Sequence, residues 1–327
     1  MPAAPSTIDE AADALARGEL VGMPTETVYG LAARADDDAA VARIFAAKGR
    51  PTDHPLIVHV GDPAAAATFA GKLPASAKQL IAAFWPGPLT LIVPRRPGVA
   101  AAAAAGQASI GLRMPSHPMA LALLRAAAAR GVPGVAAPSA NRFGRVSPTR
   151  AEHVRAEFGP GLCVLDGGPC DVGIESAIVD CTSDPPALLR PGQIPRARIE
   201  AVLGRRLAER GGDSPRASGT LPTHYAPKAA VRILASADLA RRVASAPGPA
   251  DRSVAVYSRL RPAAGWMHRQ MPDEADAAAQ ELFDALRGFD EAGADTIWLE
   301  QPPADAAWEG VRDRVTRAAA AASPSGR

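Results

Sequence analysis

Among 327 residues there are three cysteines, Cys163, Cys170 and Cys181, and no CxxC pair. The six histidines do not cluster with them, so the spacing excludes a structural zinc site. An odd, unpaired cysteine count suits a reducing compartment, and the chain is read as cytoplasmic. Aromatics make up only 4%, too few for an array that stacks the bases of single-stranded nucleic acid. A net charge of +2 excludes a bulk polycation, so any RNA contact must come from a local patch. The longest apolar run, MALALLRAAAA, is interrupted by Arg125 and falls far short of a membrane span. The N-terminus carries Asp9, Glu10 and Asp13 where a signal peptide needs an apolar stretch, and it reads as an amphipathic helix. There is no GxxxxGKS or GxxxxGKT, no GxGxxG after a strand, no GxSxG and no HExxH. Phosphate binding must therefore use discrete cations and backbone amides.

What is present can build a core: 47% of residues are apolar and 21% charged, which excludes a disordered chain. Up to about residue 205, short segments rich in Val, Ile and Leu (ELVGM, LIVHV, LTLIVPR, SIGLRM, GVAAPS, LCVLDGG, SAIVDCT, ALLRPG) read as strands. Between them lie helical segments with apolar residues three and four apart. The order is not a strict alternation, which predicts one mixed sheet with flanking helices over residues 1–205. Residues 206–228 lose periodicity and are dominated by Gly, Ser, Pro and Arg, as a linker would be. From 229 to 327 strand and helix alternate three times, predicting a small parallel α/β domain. The tail SPSGR is expected to fray.

Polar residues gather where these strands end. In PTETVYGLAA, residues 24–33, the simplest reading is that Thr25 or Thr27 caps a following helix, with Glu26 in its first turn. The alternative is a loop that holds a small polar substrate. Lys48 and Arg50 flank Gly49 at a helix end, where surface cations commonly complement the helix dipole. His59 lies inside an apolar strand and reads first as a core group. Arg113, within SIGLRMPSHP, needs an anionic partner, whether an internal carboxylate or a ligand. Ser139, Asn141 and Ser147 come after an apolar strand, either as a polar turn or as ligand contacts. Ser176 opens one strand and Arg190 ends the next. Together these cations and hydroxyls suit a polyanion plus an amino acid.

Eight segments, PTETVYGL, KGRPTDHPLIVHV, FWPGPLTLI, SIGLRMPSHP, APSANRFGRVSPT, GIESAIVD, LLRPGQI and HYAP, match in order the pattern of one family. The chain resembles the threonylcarbamoyl-AMP synthases in their longer form, a YrdC-like mixed α/β domain joined to a small Rossmann-like domain. The resemblance is dense from about residue 8 to 228 and looser beyond. It implies condensation of L-threonine, bicarbonate and ATP, with Mg²⁺, to L-threonylcarbamoyl-adenylate and pyrophosphate. The product would pass to a tRNA threonylcarbamoyl transferase, with at most a weak direct contact to tRNA. By the same resemblance Thr27, His59, Arg113, Ala137 and Ser176 surround threonine, and Lys48 and Arg50 serve the phosphates as catalytic cations. Arg50, His54, Ser109, Ser139, Asn141, Ser147, Arg190 and Tyr225 would hold ATP, with Tyr225 carried on a linker that closes as a lid. No covalent nucleophile is implied. His54 stands where the family more often has asparagine, and Ala177 where threonine is common. Two alternatives differ in class. Carbamoyltransferases that mature hydrogenases use the same domain beside acylphosphatase and zinc-finger segments, which this sequence lacks. An RNA-binding module would want stacking aromatics.

Overall fold

The computed structural model describes residues 6–321; the SPSGR tail lies outside them. Two compact units divide the described residues, the first formed by residues up to 143, 147–171 and 175–220, the second by 144–146, 172–174 and those from 221 on.

The first unit begins with α1 (Ile8–Ala16). A capping box sets its start: Glu10 N donates to Thr7 Oγ1 at 3.2 Å, and Thr7 N to Glu10 Oε2 at 2.8 Å. Then come β1 (Val21–Met23), β2 (Gly30–Arg34), α2 (Asp38–Lys48), β3 (Ile57–His59), α3 (Ala66–Phe69) and α4 (Ala75–Phe84). Next are β4 (Leu89–Pro94), β5 (Ser109–Arg113), α5 (Pro118–Ala128), β6 (Val135–Ala136), α6 (Ala151–Phe158) and β7 (Cys163–Val164). The unit ends with β8 (Ala177–Asp180), β9 (Ala187–Arg190), α7 (Arg196–Leu203) and β10 (Ala208–Glu209).

These strands form one sheet in the order β10-β9-β8-β4-β5-β3-β6-β2-β1-β7. It is mixed, as expected: β3 runs parallel to β5 and β4 to β8, while β4 and β5 are antiparallel. Leu89 to Val93 of β4 are all buried, so this central strand reads as a continuous apolar run rather than an alternation. Tyr29, Leu31, Ile44, Phe69, Leu91 and Leu112 share its main core.

Two differences from the sequence reading bear on function. Strand β2, Gly-Leu-Ala-Ala-Arg, lacks β-branched residues; pairing with β1 and β6 imposes its conformation. The PTET turn therefore leads into a strand, not a helix, and the capping explanation of Thr25 and Thr27 falls. Within the stretch read as a linker, Ala208–Glu209 pairs parallel with β9, and residues up to Thr220 belong to the first unit.

The second unit contains β11 (Ala230–Leu234), α8 (Ser236–Arg242), β12 (Val254–Ser258), β13 (Met267–Gln270), α9 (Ala275–Glu291), β14 (Thr296–Glu300) and α10 (Glu309–Ala320). Its sheet is wholly parallel in the order β11-β14-β12-β13. Strand β13, Met-His-Arg-Gln, escapes the sequence reading because it is a polar edge strand. Tyr225 lies in this unit, fully buried at φ +62°, with its ring centroid 5.3 Å from that of Phe283 and the Arg314 guanidinium 5.5 Å away over its face. Among the described residues no helix is long and apolar enough to cross a membrane.

Candidate active site

The site in the first unit grows from two places where register and turn chemistry converge. On β3 and β5, His59 is the register partner of Arg113. Both are buried, so an imidazole and a guanidinium lie on neighbouring strands away from solvent. Burial, and then the Arg113 charge, push the His59 pKa down to about 3, which keeps the ring neutral. The PTET turn packs here. Thr25 Oγ1 donates to Val28 O at 2.6 Å and accepts from Val28 N at 3.2 Å, which folds the turn upon itself. Thr27 Oγ1 lies 2.9 Å from Thr25 Oγ1 and accepts from Arg113 Nη1 at 2.8 Å. Since Thr25 already donates to a carbonyl, the Thr27 proton points to Thr25, and polarity runs Arg113 to Thr27 to Thr25. Arg113 Nη2 also lies 2.8 Å from Glu26 Oε1. The anionic partner Arg113 requires is thus an internal carboxylate from the same turn.

Ser176, at the entry to β8, accepts from Arg190 Nη2 at 3.2 Å on its hydroxyl, and its carbonyl accepts from Arg190 Nε at 3.0 Å. Its Oγ lies 2.8 Å from Thr90 Oγ1 on β4. Ala137 is nearly buried and fixed through its N–H to Ile57 O at 3.0 Å.

The second convergence is the end of α2. Gly49 adopts φ +63°, a left-handed turn that closes the helix. Lys48 and Arg50 on either side of it are buried, not solvated as helix-end cations would be. Lys48 Nζ donates to Ser139 O at 2.6 Å and also to Asn141 O. Burial, then the Arg50 charge, hold its ammonium pKa well below the lysine range. Arg50 donates through Nη2 to Pro55 O at 3.1 Å and Ser218 Oγ at 3.4 Å, and lies 5.6 Å over the Phe143 ring. His54 contacts the same ring edge-on at 5.4 Å, and its carbonyl faces Arg50 Nε at 3.5 Å. Ser147 Oγ donates to Glu175 Oε1 at 2.5 Å, both buried. Ser109 lines a shallow open depression with Ile57, Ile92, Ile178 and Ser218.

The expected residues therefore gather into linked groups within this unit: Thr27, His59 and Arg113; Ser176 and Arg190; Lys48, Ser139 and Asn141; Arg50 and His54. Ser218 joins two of them, because its Oγ meets Arg50 and its carbonyl accepts from Arg190 Nη1 at 2.9 Å. Tyr225 belongs to the second unit. Sequence reasoning passed over Glu26, Thr90, Glu175 and Ser218 as site residues. Thr90 carried a signal, a lone hydroxyl within the apolar LTLIVP; Ser218 carried none.

A family model described as "Telomere recombination" matches residues 13–192, and one described as "Threonylcarbamoyl-AMP synthase, C-terminal domain" matches residues 194–320. The threonylcarbamoyl-AMP synthase of Bacillus subtilis is 39% identical over 324 residues, covering 95% of this chain and 92% of the relative. That of Pyrococcus abyssi is 38% identical over 306 residues, covering 89% and 87%. The crystal structure of Pyrococcus abyssi Sua5 complexed with L-threonine matches with a TM-score of 0.86 at 37% identity, covering 96% of this chain and 94% of that one. With both family models matched in sequence and relatives spanning nearly the whole chain, this protein belongs to the threonylcarbamoyl-AMP synthase family, the enzymes that form L-threonylcarbamoyl-adenylate for tRNA modification.

Proposed function

We propose that L-threonine lies among Thr27, His59, Arg113, Ala137 and Ser176, and that ATP lies beside Lys48 and Arg50. The observation that carries this reading is the buried cation pair Lys48 and Arg50, joined through Ser218 and Arg190 to Ser176. Two buried basic side chains flanking one turn suit a large anion, and a triphosphate supplies it. On the other side, neutral His59 and the hydroxyls of Thr27 and Ser176 suit a small hydroxylated amino acid whose carboxylate meets Arg113.

The chemistry then asks mainly for placement. The threonine amine attacks the carbon of bicarbonate, water leaves, and the resulting carbamate oxygen attacks the α-phosphate to expel pyrophosphate. Lys48 and Arg50 spread the developing phosphoryl charge, and Ser139, Asn141, Ser147, Ser109, His54 and Arg190 orient the nucleotide. Tyr225 joins them by resemblance, as part of a segment that closes over the adenylate and slows its hydrolysis. Mg²⁺ would arrive with the triphosphate and neutralise part of its charge. The product passes to a tRNA threonylcarbamoyl transferase in the reducing cytoplasm.

The test is pyrophosphate release from ATP by the purified full chain. It should require both L-threonine and bicarbonate. Release that proceeds without threonine, on carbamoyl phosphate, would favour carbamoyl-adenylate chemistry instead.

A further inference from the structure

Glu26 is 4% exposed and Arg113 3%, so the ion pair between them is fully desolvated. It is also incompletely bonded. Arg113 Nη1 is committed to Thr27 Oγ1 at 2.8 Å and Nε to Gly87 O at 3.3 Å. Nη2 forms an ion pair with Glu26 Oε1 at 2.8 Å. Neither oxygen of Glu26, nor Nη2 of Arg113, has a hydrogen-bond partner. Buried polar groups are bonded as a rule, and exceptions ask for an explanation. Here a donor and two acceptors of opposite charge, ion-paired yet without a hydrogen bond, stand side by side on a pinned guanidinium. That is the complement of a zwitterion: a carboxylate seats on Nη2 while an ammonium seats on the Glu26 oxygens.

We propose that Glu26 binds the α-ammonium of L-threonine and accepts the proton that must leave before the amine can attack. The inference rests on the threonine site proposed above. The ammonium gives one proton to a Glu26 oxygen, leaving a neutral amine. Its nitrogen lone pair forms the C–N bond to the bicarbonate carbon, and a second nitrogen proton leaves with the departing hydroxyl as water. The product is the N-carboxylate of threonine, ready for the α-phosphate. The proton on Glu26 returns to solvent when the site opens. His59 cannot do this as well, because burial and then the Arg113 charge beside it oppose any positive charge on the ring. Its unbonded Nδ1 is left for the threonine hydroxyl.

The closing experiment uses the full-length protein with ATP, bicarbonate and L-threonine. Glu26→Gln keeps the shape and removes the charge. It should lower kcat/KM for threonine by about 100-fold or more, through both parameters, with ATP affinity unchanged. Unchanged kcat and KM for threonine overturn the inference. Should Glu26→Gln not fold, two wild-type measurements decide. Calorimetry should give the analogue with hydroxyl in place of amine, 2,3-dihydroxybutanoate, about 100-fold weaker binding than threonine. A crystal structure with L-threonine should place the amine within about 3.2 Å of a Glu26 oxygen. Equal binding of the two ligands, or an amine beyond hydrogen-bond reach of Glu26, overturns it. Failure of the underlying reading looks different: wild type would release no threonine-dependent pyrophosphate, whatever Glu26 contacts.

Discussion

Arg190 Nη1 donates to the backbone oxygen of Ser218 at 2.9 Å while its Nε and Nη2 hold the carbonyl and hydroxyl of Ser176. One buried guanidinium thus ties a residue assigned to threonine to a segment read from sequence as a tether. Three bonds from a planar fork cannot be copied by an ammonium. Arg190→Lys should therefore behave almost like Arg190→Ala.

Each lost charge-assisted bond costs about 1.5–3 kcal/mol. Both Arg190 variants should raise KM for threonine and for ATP by about tenfold or more. Protease cleavage between residues 206 and 220 should also accelerate, since Ser218 loses its anchor. Kinetics and a timed digestion, run side by side, check this. Full activity with slow cleavage in Arg190→Lys would show that the fork geometry carries nothing.

Lys48 makes a second prediction, through protons. Its ammonium is disfavoured by burial and by Arg50. A triphosphate placed beside it supplies the missing negative charge and draws its pKa back up. ATP binding should take up protons at pH values that lie between the free and the ATP-bound pKa of Lys48. Titration calorimetry in buffers of different ionisation enthalpy measures that uptake directly. Lys48→Met should abolish it and cut pyrophosphate release. Identical apparent enthalpies in every buffer, at each pH from neutral to alkaline, would remove Lys48 from the phosphate site.

His59 links the pocket to acid stability. Its pKa is about 3 in the folded chain, from the ordinary 6.5. Below about pH 6.5 the unfolded state binds a proton that the folded state refuses. The stabilisation is therefore whole above that value and is lost progressively as pH falls toward 3. Between pH about 6.5 and about 5 the loss should approach 2 kcal/mol. Urea unfolding at the two pH values measures it, and His59→Gln should flatten the slope. A variant with the wild-type slope would place the acid sensitivity elsewhere.

Strands β3, β4, β8 and β9 are legible in sequence because buried strands carry short runs of Val, Ile and Leu. Strands β2 and β13 are not, because neighbours rather than residue type make them strands. The site was named by its ordered resemblance to a family; residue types alone left every candidate divided between a bland role and a chemical one. Lys48 and Arg50 look like solvated helix-end cations until the left-handed Gly49 turn carries them inward. Glu26 looks like a helix-start carboxylate because its partner is far along the chain; Thr27, next to it, already stands 86 residues from Arg113. Local periodicity cannot report such a pairing, which exists only once the PTET turn meets the end of β5.

Gly192 gives the last prediction. A Cβ there would stand 2.3 Å from Ala177 N, 2.8 Å from Ser176 C and 2.9 Å from Ala177 Cα. All three are backbone atoms, so no rotamer relieves the contact. Strand β8 cannot retreat easily, because Ala177 N donates to Pro88 O at 3.1 Å and Ala177 is in register with Leu89 of β4. The segment after β9 must move instead. Arg190 lies two residues upstream, so its alignment on Ser176 is the first thing displaced. Gly192→Ala should cost about 1–3 kcal/mol, the usual range for overpacking. In a unit of this size that lowers Tm by about 2–10 °C. KM for threonine should rise more than kcat falls, because the displaced groups are proposed to bind substrate rather than touch the reacting atoms. A thermal melt and threonine titrations of pyrophosphate release test both halves. A variant with wild-type Tm and KM would mean that the chain does not pass this close to Ser176, and the Arg190 bridge would lose its structural support with it.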